Sequence, residues 1–180
     1  MTIADFTAKI GRVIARLDAE IGQLAAVAGA DLVALVTNRV VQTGESSDGS
    51  QFTPYSDNKH PASMYLGKSR TGGAENKVKT LAKKKERISY REFRVINGLN
   101  PAPVNFEFSG AMWRNFKVLG VAATANGVVV TIGGANEDAR NKIRKNSDRD
   151  NKSIIRPSKK EIEIVRRNLV VSVQKIVDNG

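Results

Sequence analysis

The sequence predicts an α+β fold. It combines a small, mostly antiparallel sheet containing a hairpin with a long N-terminal helix and a C-terminal helix that brace it, and with a long basic arm or loop. Three observations support this: an apolar three-and-four spacing near the N-terminus, β-branched runs around Asn126-Gly127, and a capping box ahead of the last apolar stripe. At 180 residues with 41% hydrophobic content, we expect residues 1–180 to form a single domain.

The N-terminal helix is predicted from one apolar stripe. Its members are Ile3, Phe6, Ile10, Val13, Leu17, Ile21, Leu24, Ala28, Leu32 and Leu35. Thr2 is a suitable N-cap, and Asp5 lies in the first turn, where a carboxylate stabilises the helix dipole. Gly29 is expected to break or bend the run into two helices, the second capped by Asp31 and ending near Val41. The stripe has two interpretations: it covers the sheet of its own subunit, or it packs in part on a neighbouring copy.

A polar turn, residues 43–56, follows this helix and carries two aromatic residues around a proline. Asp48-Gly49 is a turn signal. A phosphate-binding loop would need a Gly-Lys-Ser/Thr ending and a preceding strand, and the sequence has neither. We therefore expect Phe52 and Tyr55 to fix the turn to the body of the domain or to a partner.

Residues 56–100 are polar, basic and weakly periodic, which predicts an extended basic arm or loop within the domain. Lys77 to Arg87 is a candidate short helix. Ile88 to Ile96 is a candidate strand or aromatic-bearing arm, in which Tyr90 and Phe93 lie off a strict strand period. A structureless stretch of this length is unusual in a compact domain unless it orders when a partner binds.

The densest apolar and aromatic segment, Val104 to Ile132, predicts the β core. Within it, Val104 to Phe108 is expected to form a short separate strand. The runs Phe116 to Thr124 and Val128 to Ile132 are expected to form a hairpin, because Asn126-Gly127 readily adopts the positive φ values of a two-residue turn.

Two helices are predicted beyond the hairpin. Ala135 to Lys145 is a basic, polar surface helix, and Ile154 to Arg156 is a candidate edge strand of the sheet. Ser158 and Glu161 form a capping box that opens a helix from about Lys159 to Val177. Its apolar face consists of Ile162, Val165, Leu169, Val173 and Ile176.

The net charge of +11 is unevenly distributed: residues 1–55 carry −2, residues 56–100 carry +7, and residues 101–180 carry +6. This distribution has three interpretations. The basic residues bind nucleic acid through its phosphates, they bind an acidic protein surface, or they are solvated and have no specific partner. The candidate contacts to a partner or to DNA are Lys83, Lys84, Lys85, Phe52, Tyr55, Tyr90 and Phe93.

The composition argues against an enzyme. The chain has no cysteine and one histidine, His60, which removes thiolate zinc sites and the commonest acid/base chemistry. We expect no cofactor and no metal. The sequence shows no apolar run of 18 residues and no basic-then-apolar leader, so we expect neither a membrane span nor a secretory signal, and synthesis in the cytosol.

Several short motifs occur in a recognisable order. They are DGSQFTPYS at 48–56, FSGAMWRNF at 108–116, VVVTIGG at 128–134, a helix containing Ala139 and Asn141, and RPSKKEIEIV at 156–165. This order resembles the phage virion morphogenesis, or tail completion, family. The chain has Phe52-Thr53-Pro54 where members of that family often have Trp-x-Pro.

The resemblance implies a structural virion protein at the head-to-tail junction of a bacteriophage, in a neck, tail completion or tail terminator position. It implies a ring-forming homo-oligomer without catalytic residues, which acts in virion assembly beside portal, connector or tail proteins and near DNA, with no membrane partner. The alternative is a non-specific nucleic-acid-binding domain, since Tyr65, Tyr90 and Phe93 lie among lysines and arginines and are able to stack on bases.

Overall fold

The computed structural model describes residues 2–125 and 127–179. It confirms the α+β class: 58% of the chain is helical, with a long N-terminal helix, two small antiparallel sheets of two strands each, and a C-terminal helix. β1 pairs with β2, and β3 pairs with β4 with an irregularity between Val118 and Gly120. The elements in order are α1 (Ile3–Thr43), β1 (Lys59–Pro61), a 3-10 turn (Ala62–Tyr65), α2 (Gly72–Lys83), β2 (Arg87–Ser89), α3 (Tyr90–Ile96), α4 (Ala111–Arg114), β3 (Phe116–Thr124), β4 (Gly127–Gly134), α5 (Glu137–Asp150) and α6 (Lys159–Asp178).

α1 is one helix of 41 residues, opened by a capping box between Thr2 and Asp5. The predicted break at Gly29 is wrong, because this glycine lies buried inside the helix where the β3–β4 hairpin crosses it. A Cβ atom at Gly29 would lie 2.6 Å from Cγ1 of Val130 and 2.9 Å from Cγ2 of Val118. The glycine therefore permits close packing of hairpin on helix, and the helix continues through it.

α6 packs antiparallel on α1, and two contacts set the register. Asn168 donates from Nδ2 to Oδ2 of Asp31 over 3.2 Å, so Asp31 is a mid-helix contact and not the predicted cap. Eight residues further along α1, Arg39 Nε lies 2.8 Å from Oε1 of Glu161 in a largely buried ion pair. The predicted capping box at Ser158 is present, and the helix runs close to its predicted range.

Eleven buried side chains form the principal core, at the meeting point of α1, α4, α5, the start of β3 and the segments between them. They are Val36, Val40, Phe52, Tyr55, Val104, Phe106, Met112, Trp113, Phe116, Ile143 and Ile154. The predicted strand at 104–108 is wrong: Phe106 has a φ of 52°, which a strand does not allow, and its N–H donates to the Tyr55 hydroxyl. The predicted edge strand at 154–156 is also wrong, since the N–H of Ile154 donates to Oγ of Ser147.

Residues 59–96, which we call the basic module, are folded. The structure thus corrects the expectation that this stretch lacks regular structure. Ala62, Val78, Ile88 and Phe93 are buried together, with half-buried side chains packed around them. Ile88 lies on β2, and α3 begins immediately after it, which explains why the apolar residues of 88–96 fit neither one strand period nor one helix period.

The predicted hairpin is confirmed as β3 and β4, paired from Phe116 with Gly134 to Thr124 with Gly127. Asn126 lies outside the described residues, and Gly127, predicted as the second turn residue, is instead the first residue of β4, where it pairs with Thr124 and has a φ of 137°. The predicted surface helix is α5, where the side chain of Asn136 accepts a hydrogen bond from the N–H of Ala139 over 2.8 Å. It extends five residues past its predicted end because the polar run up to Asp150 is helical.

Gly29→Ala should destabilise the fold. Alanine normally stabilises a helix by about 1 kcal/mol relative to glycine, but here the added methyl overpacks the contact with Val118 and Val130, which costs about 1–3 kcal/mol. The matched control is Gly22→Ala, because no atom lies within 4 Å of a Cβ at Gly22 and this change should stabilise the helix. Urea unfolding measures both. A Gly29→Ala protein as stable as Gly22→Ala would contradict the close approach.

Asp48→Asn should remove part of the pH dependence of stability. Hydrogen bonds from the hydroxyls of Ser46 and Ser50 and from the Ser50 N–H hold the pKa of Asp48 far below its ordinary value of 3.8. A lowered pKa in the folded state stabilises the protein fully above 3.8, and this contribution is lost as the pH falls through the folded-state pKa. Urea unfolding should show that Asp48→Asn has a lower free energy of unfolding than the unchanged protein at neutral pH, and that this difference becomes smaller in acid. Glu86→Gln is the control, because the Glu86 side chain is exposed and forms no hydrogen bond or ion pair among the described residues, and its loss should leave the free energy of unfolding nearly unchanged.

Candidate functional site

The N-terminal part of α1 extends beyond the helix that packs on it. From the contact between Asn168 and Asp31, ten more residues carry α6 to its end at Asp178, which therefore lies level with about Ile21. Residues 3–20, which we call the α1 arm, have no described helix opposite them. At a rise of about 1.5 Å per residue, the arm is about 27 Å long.

The arm exposes the same apolar stripe that packs on α6 further along α1. With about 3.6 residues per turn, positions 3, 10 and 17 lie on the side of α1 that carries Asp31 and Arg39, the two residues bonded to α6. Ile3 is 88% exposed, Phe6 51% and Ile10 42%. This is a continuous apolar surface, and such surfaces on folded proteins mark interaction sites.

The other sides of the arm are different in character. Small residues Ala4, Ala8, Gly11 and Ala15 follow the side on which Gly29 meets the hairpin. Charged residues Lys9, Arg12 and Arg16 follow a third side, on which Lys9 and Arg16 flank the stripe, and Arg16 pairs with Glu20 over 2.8 Å. The two interpretations of the stripe therefore concern different parts of α1. Residues 24–40 pack within their own subunit, whereas the arm is free to pack on a neighbour.

α1 is also long and apolar enough, by length and composition alone, to cross a membrane. The same properties are found in buried core helices and in secretory leaders. The arm contains six charged residues, and charges at the centre of a bilayer are costly. The longest uncharged stretch of α1, residues 21–30, leads into the region that contacts α6 and the hairpin. Contacts with α6 and the hairpin thus account for the apolar residues in the C-terminal half of α1, whereas no helix among the described residues lies opposite the arm.

The structure separates the seven residues predicted as contacts into two groups. Phe52, Tyr55 and Phe93 are buried and Tyr90 is half-buried, so these rings pack within the chain. Lys83, Lys84 and Lys85 are exposed at the C-terminal end of α2, where positive charge stabilises the helix dipole. The three lysines line neither of the described cavities that the aromatic residues line.

A cavity of about 580 Å³ lies between the principal core and the basic module. Its lining includes Tyr55, Tyr90, Arg94, Phe106 and Arg149. The residue that the sequence reasoning missed is Arg94, which is only 1% exposed. No sequence signal marks it, since a lone arginine in a basic stretch is expected to be solvated.

Arg94 holds the loop that follows α3. Its guanidinium donates to the carbonyl oxygens of Asn100, over 3.1 Å, and Glu107, over 2.6 Å, and to Oδ1 of Asn105 over 3.0 Å. These acceptors are all neutral. The carbon of the guanidinium lies 4.2 Å from the centre of the Tyr55 ring, so a cation–π contact adds to the hydrogen bonds.

A second guanidinium group also contacts Tyr55: the carbon of the Arg149 guanidinium lies 5.6 Å from the centre of the Tyr55 ring. Burial raises the pKa of the Tyr55 hydroxyl, and the positive charge of Arg94 opposes that rise. Arg149 is itself paired with Asp150 over 2.7 Å. The groups around the cavity are thus tied to fixed partners within the chain, and the arrangement joins the two clusters of buried side chains.

Among residues 2–125 and 127–179, no group of three or more His, Asp or Glu side chains is placed to hold a metal ion. No family model, no curated protein and no solved structure matches the chain. Its function is therefore inferred from its own surfaces and from the motif resemblance. The arm is the main candidate site, and the exposed lysines of the basic module are the second.

Tyr55→Phe should destabilise the protein while keeping the ring in place. The hydroxyl accepts the buried N–H of Phe106 over 3.1 Å, and an unsatisfied buried donor costs about 1–3 kcal/mol. Tyr65→Phe is the matched control, because the described structure shows no hydrogen bond to the Tyr65 hydroxyl. Urea unfolding of both variants checks the difference. Equal stability of the two would mean that the hydroxyl of Tyr55 does not fix the 104–108 segment.

Proposed function

We propose that the protein is a structural component of a bacteriophage virion at the head-to-tail junction, where it assembles as a ring during morphogenesis. Support comes from the order of the motifs and from where they lie. Phe52, Tyr55, Met112 and Trp113, from two of the motifs, lie together in the principal core. Residues 156–158 of a third motif lead into α6 beside Arg39, whose guanidinium donates to the carbonyl of Arg156. The resemblance is thus concentrated in residues that pack against one another.

The observation that carries the proposal is the exposed stripe of the α1 arm. Full burial of one large apolar side chain contributes roughly 1.5–3 kcal/mol. Ile3, Phe6, Ile10 and Ile14 are all more than two-fifths exposed, so association has a substantial driving force. A protein whose main task is to pack against copies of itself and its neighbours needs such a surface and needs no catalytic group.

The charge of the basic module supports an acidic neighbour or DNA nearby. Its lysines and most of its arginines are exposed, whereas Arg94 is buried. The exposed basic residues are Lys59, Lys68, Arg70, Lys77, Lys79, Lys83, Lys84, Lys85, Arg87 and Arg91. A field of this sign speeds encounter with a negatively charged surface, such as DNA in a channel or an acidic partner in the virion.

Non-specific binding of single-stranded nucleic acid is the second candidate, favoured by one feature. The rings of Tyr65, Phe93 and Phe108 form a stack, with centroids 4.6 Å and 5.7 Å apart. Together with Lys68 and Tyr90 they line a cavity of about 330 Å³. Phe93 is buried within this stack, whereas Tyr65 and Phe108 are half-buried. The accessible parts of these two rings beside Lys68 are suited to stacking on a base and contacting its phosphate.

Native mass spectrometry and negative-stain imaging of the purified chain, alone and with portal or tail-tube protein, should show closed rings. Replacing Phe6 and Ile10 together by Ser should shift the population towards monomer, because it removes apolar contact area from the arm. The matched control replaces Met64 and Val95 by Ser. These side chains are 54% and 57% exposed, close to the 51% and 42% of the arm residues, and lie outside the arm. The control should still form rings.

Two outcomes would contradict the proposal. One is a strict monomer that stays monomeric with both partners at high concentration. The other is a monomer that retards single-stranded DNA with a steep loss of affinity in salt, and loses that affinity when Tyr65 and Lys68 are changed to Ala. That result would assign the protein to the second candidate function.

A further inference from the structure

We infer that the α1 arm of one copy packs on the outward face of α6 in a neighbouring copy, so that copies join head to tail. The inference rests on the proposed ring and identifies its contact. The outward face of α6 consists of Ile162, Val170 and Val177, which follow one another at intervals of eight and seven residues and so lie on one side of the helix. All three are exposed, and Val170 is 61% exposed.

This outward face is distinct from the side of α6 that packs on α1. The inward side carries Glu161 and Asn168, which bond to α1, and the buried Val165 and Ile176. At about 3.6 residues per turn, the two sides differ by roughly a third of a turn. α6 is therefore apolar on two sides, and the described chain covers only one of them.

The two uncovered surfaces match in length. From Ile162 to Val177 the outward face spans about 23 Å, and the arm spans about 27 Å, at about 1.5 Å per residue. Each is a single helix face with apolar residues every three, four or seven to eight positions. Helix faces of this kind pack by placing the ridges of side chains of one helix into the grooves of the other.

Continuity with the packing inside one chain favours a helix as the occupant. Along residues 24–39 the α1 stripe already accepts an apolar helix face, that of α6. The stripe continues into the arm with unchanged spacing, from Ile21 through Leu17 to Ile3. The arm thus presents to a neighbour the same type of surface that α6 covers within the chain.

Charge favours α6 over a second arm as that occupant. If two arms paired antiparallel about the Arg12–Val13 peptide bond, Lys9 of one copy would lie across from Arg16 of the other, and like charges at these flanking positions repel. On α6, Arg166 lies between Ile162 and Val170. Neither Arg166 nor Asp18, which borders the arm's stripe, forms an ion pair within the described chain. The two are free to pair between copies.

The small area of a single arm contact explains why a closed ring, and not a dimer, is the expected assembly. A helix face about 27 Å long and about 10–12 Å wide offers roughly 300 Å², whereas a standard stable interface covers about 800 Å² on each partner. One arm contact is therefore too small to hold a lasting dimer. A head-to-tail contact uses different surfaces on the two partners, so each copy makes it twice once the ring closes.

The chain has no cysteine, so engineered cysteines report contacts without background. Under mild oxidation, the variant carrying both Ile10→Cys and Val170→Cys should give a ladder of disulfide-linked oligomers up to the size of the ring. Ile10→Cys combined with Val95→Cys should stay uncrosslinked, because Val95 is exposed but lies outside α6. Pairing Ile3→Cys with Ile162→Cys, and separately with Val177→Cys, should give crosslinks for one of the two and so show the direction of the arm, because Ile3 lies seven residues from Ile10 as Val177 lies seven from Val170.

The outcomes separate the inference from the proposed function. Rings in images with no crosslink from the arm to residue 162, 170 or 177 would overturn the inference and leave the ring protein intact. Efficient dimers from Val13→Cys alone would overturn it in favour of paired arms. If neither rings nor crosslinks are observed, the proposed function is contradicted as well. A further test repeats the crosslinking with vesicles of phosphatidylcholine and phosphatidylglycerol. If the protein binds the vesicles and the crosslink is then lost, the arm would be assigned to a lipid surface and the inference overturned.

Discussion

The packing of α6 on α1, fixed by the pair of Arg39 and Glu161, determines most of the architecture. Both side chains are nearly buried, and the guanidinium also donates to the carbonyls of Glu45 and Arg156. It therefore ties the end of α1, the polar turn and the entry into α6 to one point. Removing one partner of such a pair costs about 3–5 kcal/mol, since the other charge is left buried. Because this point sets the register, α6 ends level with Ile21, and the arm is left without a partner in its own chain.

The features predicted correctly from the sequence are those determined locally. The capping boxes at Thr2 and Ser158 satisfy helix N–H groups within four residues, so their sequence signature is sufficient to locate the helix starts. Gly29 shows the limit of local reasoning. Within its own segment a glycine favours a helix end, and only the distant residues Val118 and Val130 require a position without a side chain there. That requirement becomes visible only when the hairpin is placed on the helix.

The basic module and its neighbourhood were harder to predict for two physical reasons. Its charge suggested a solvated arm, yet four apolar side chains, Ala62, Val78, Ile88 and Phe93, are enough to fold it around a small cluster of its own. The burial of Arg94 follows from the path of the 97–108 segment, whose carbonyls surround the guanidinium. Of the candidate contacts, Lys83, Lys84 and Lys85 are exposed, as binding to a partner requires. The aromatic rings instead pack in the interior, because burial of their large apolar area stabilises the fold.

The separation of the arm from the basic module has a consequence for assembly. The proposed contact between copies uses apolar faces on α1 and α6, so the lysine-rich surface stays available to DNA or an acidic neighbour after the ring has formed. Each contact is small, but closure of a ring makes the last contact intramolecular and raises its effective concentration. A charged surface that gathers several copies raises their local concentration and so favours closure of the proposed ring. The attraction between the basic module and a negatively charged surface concentrates the copies but does not strengthen the apolar contact between them. Assembly of the proposed ring therefore depends on where the copies are gathered.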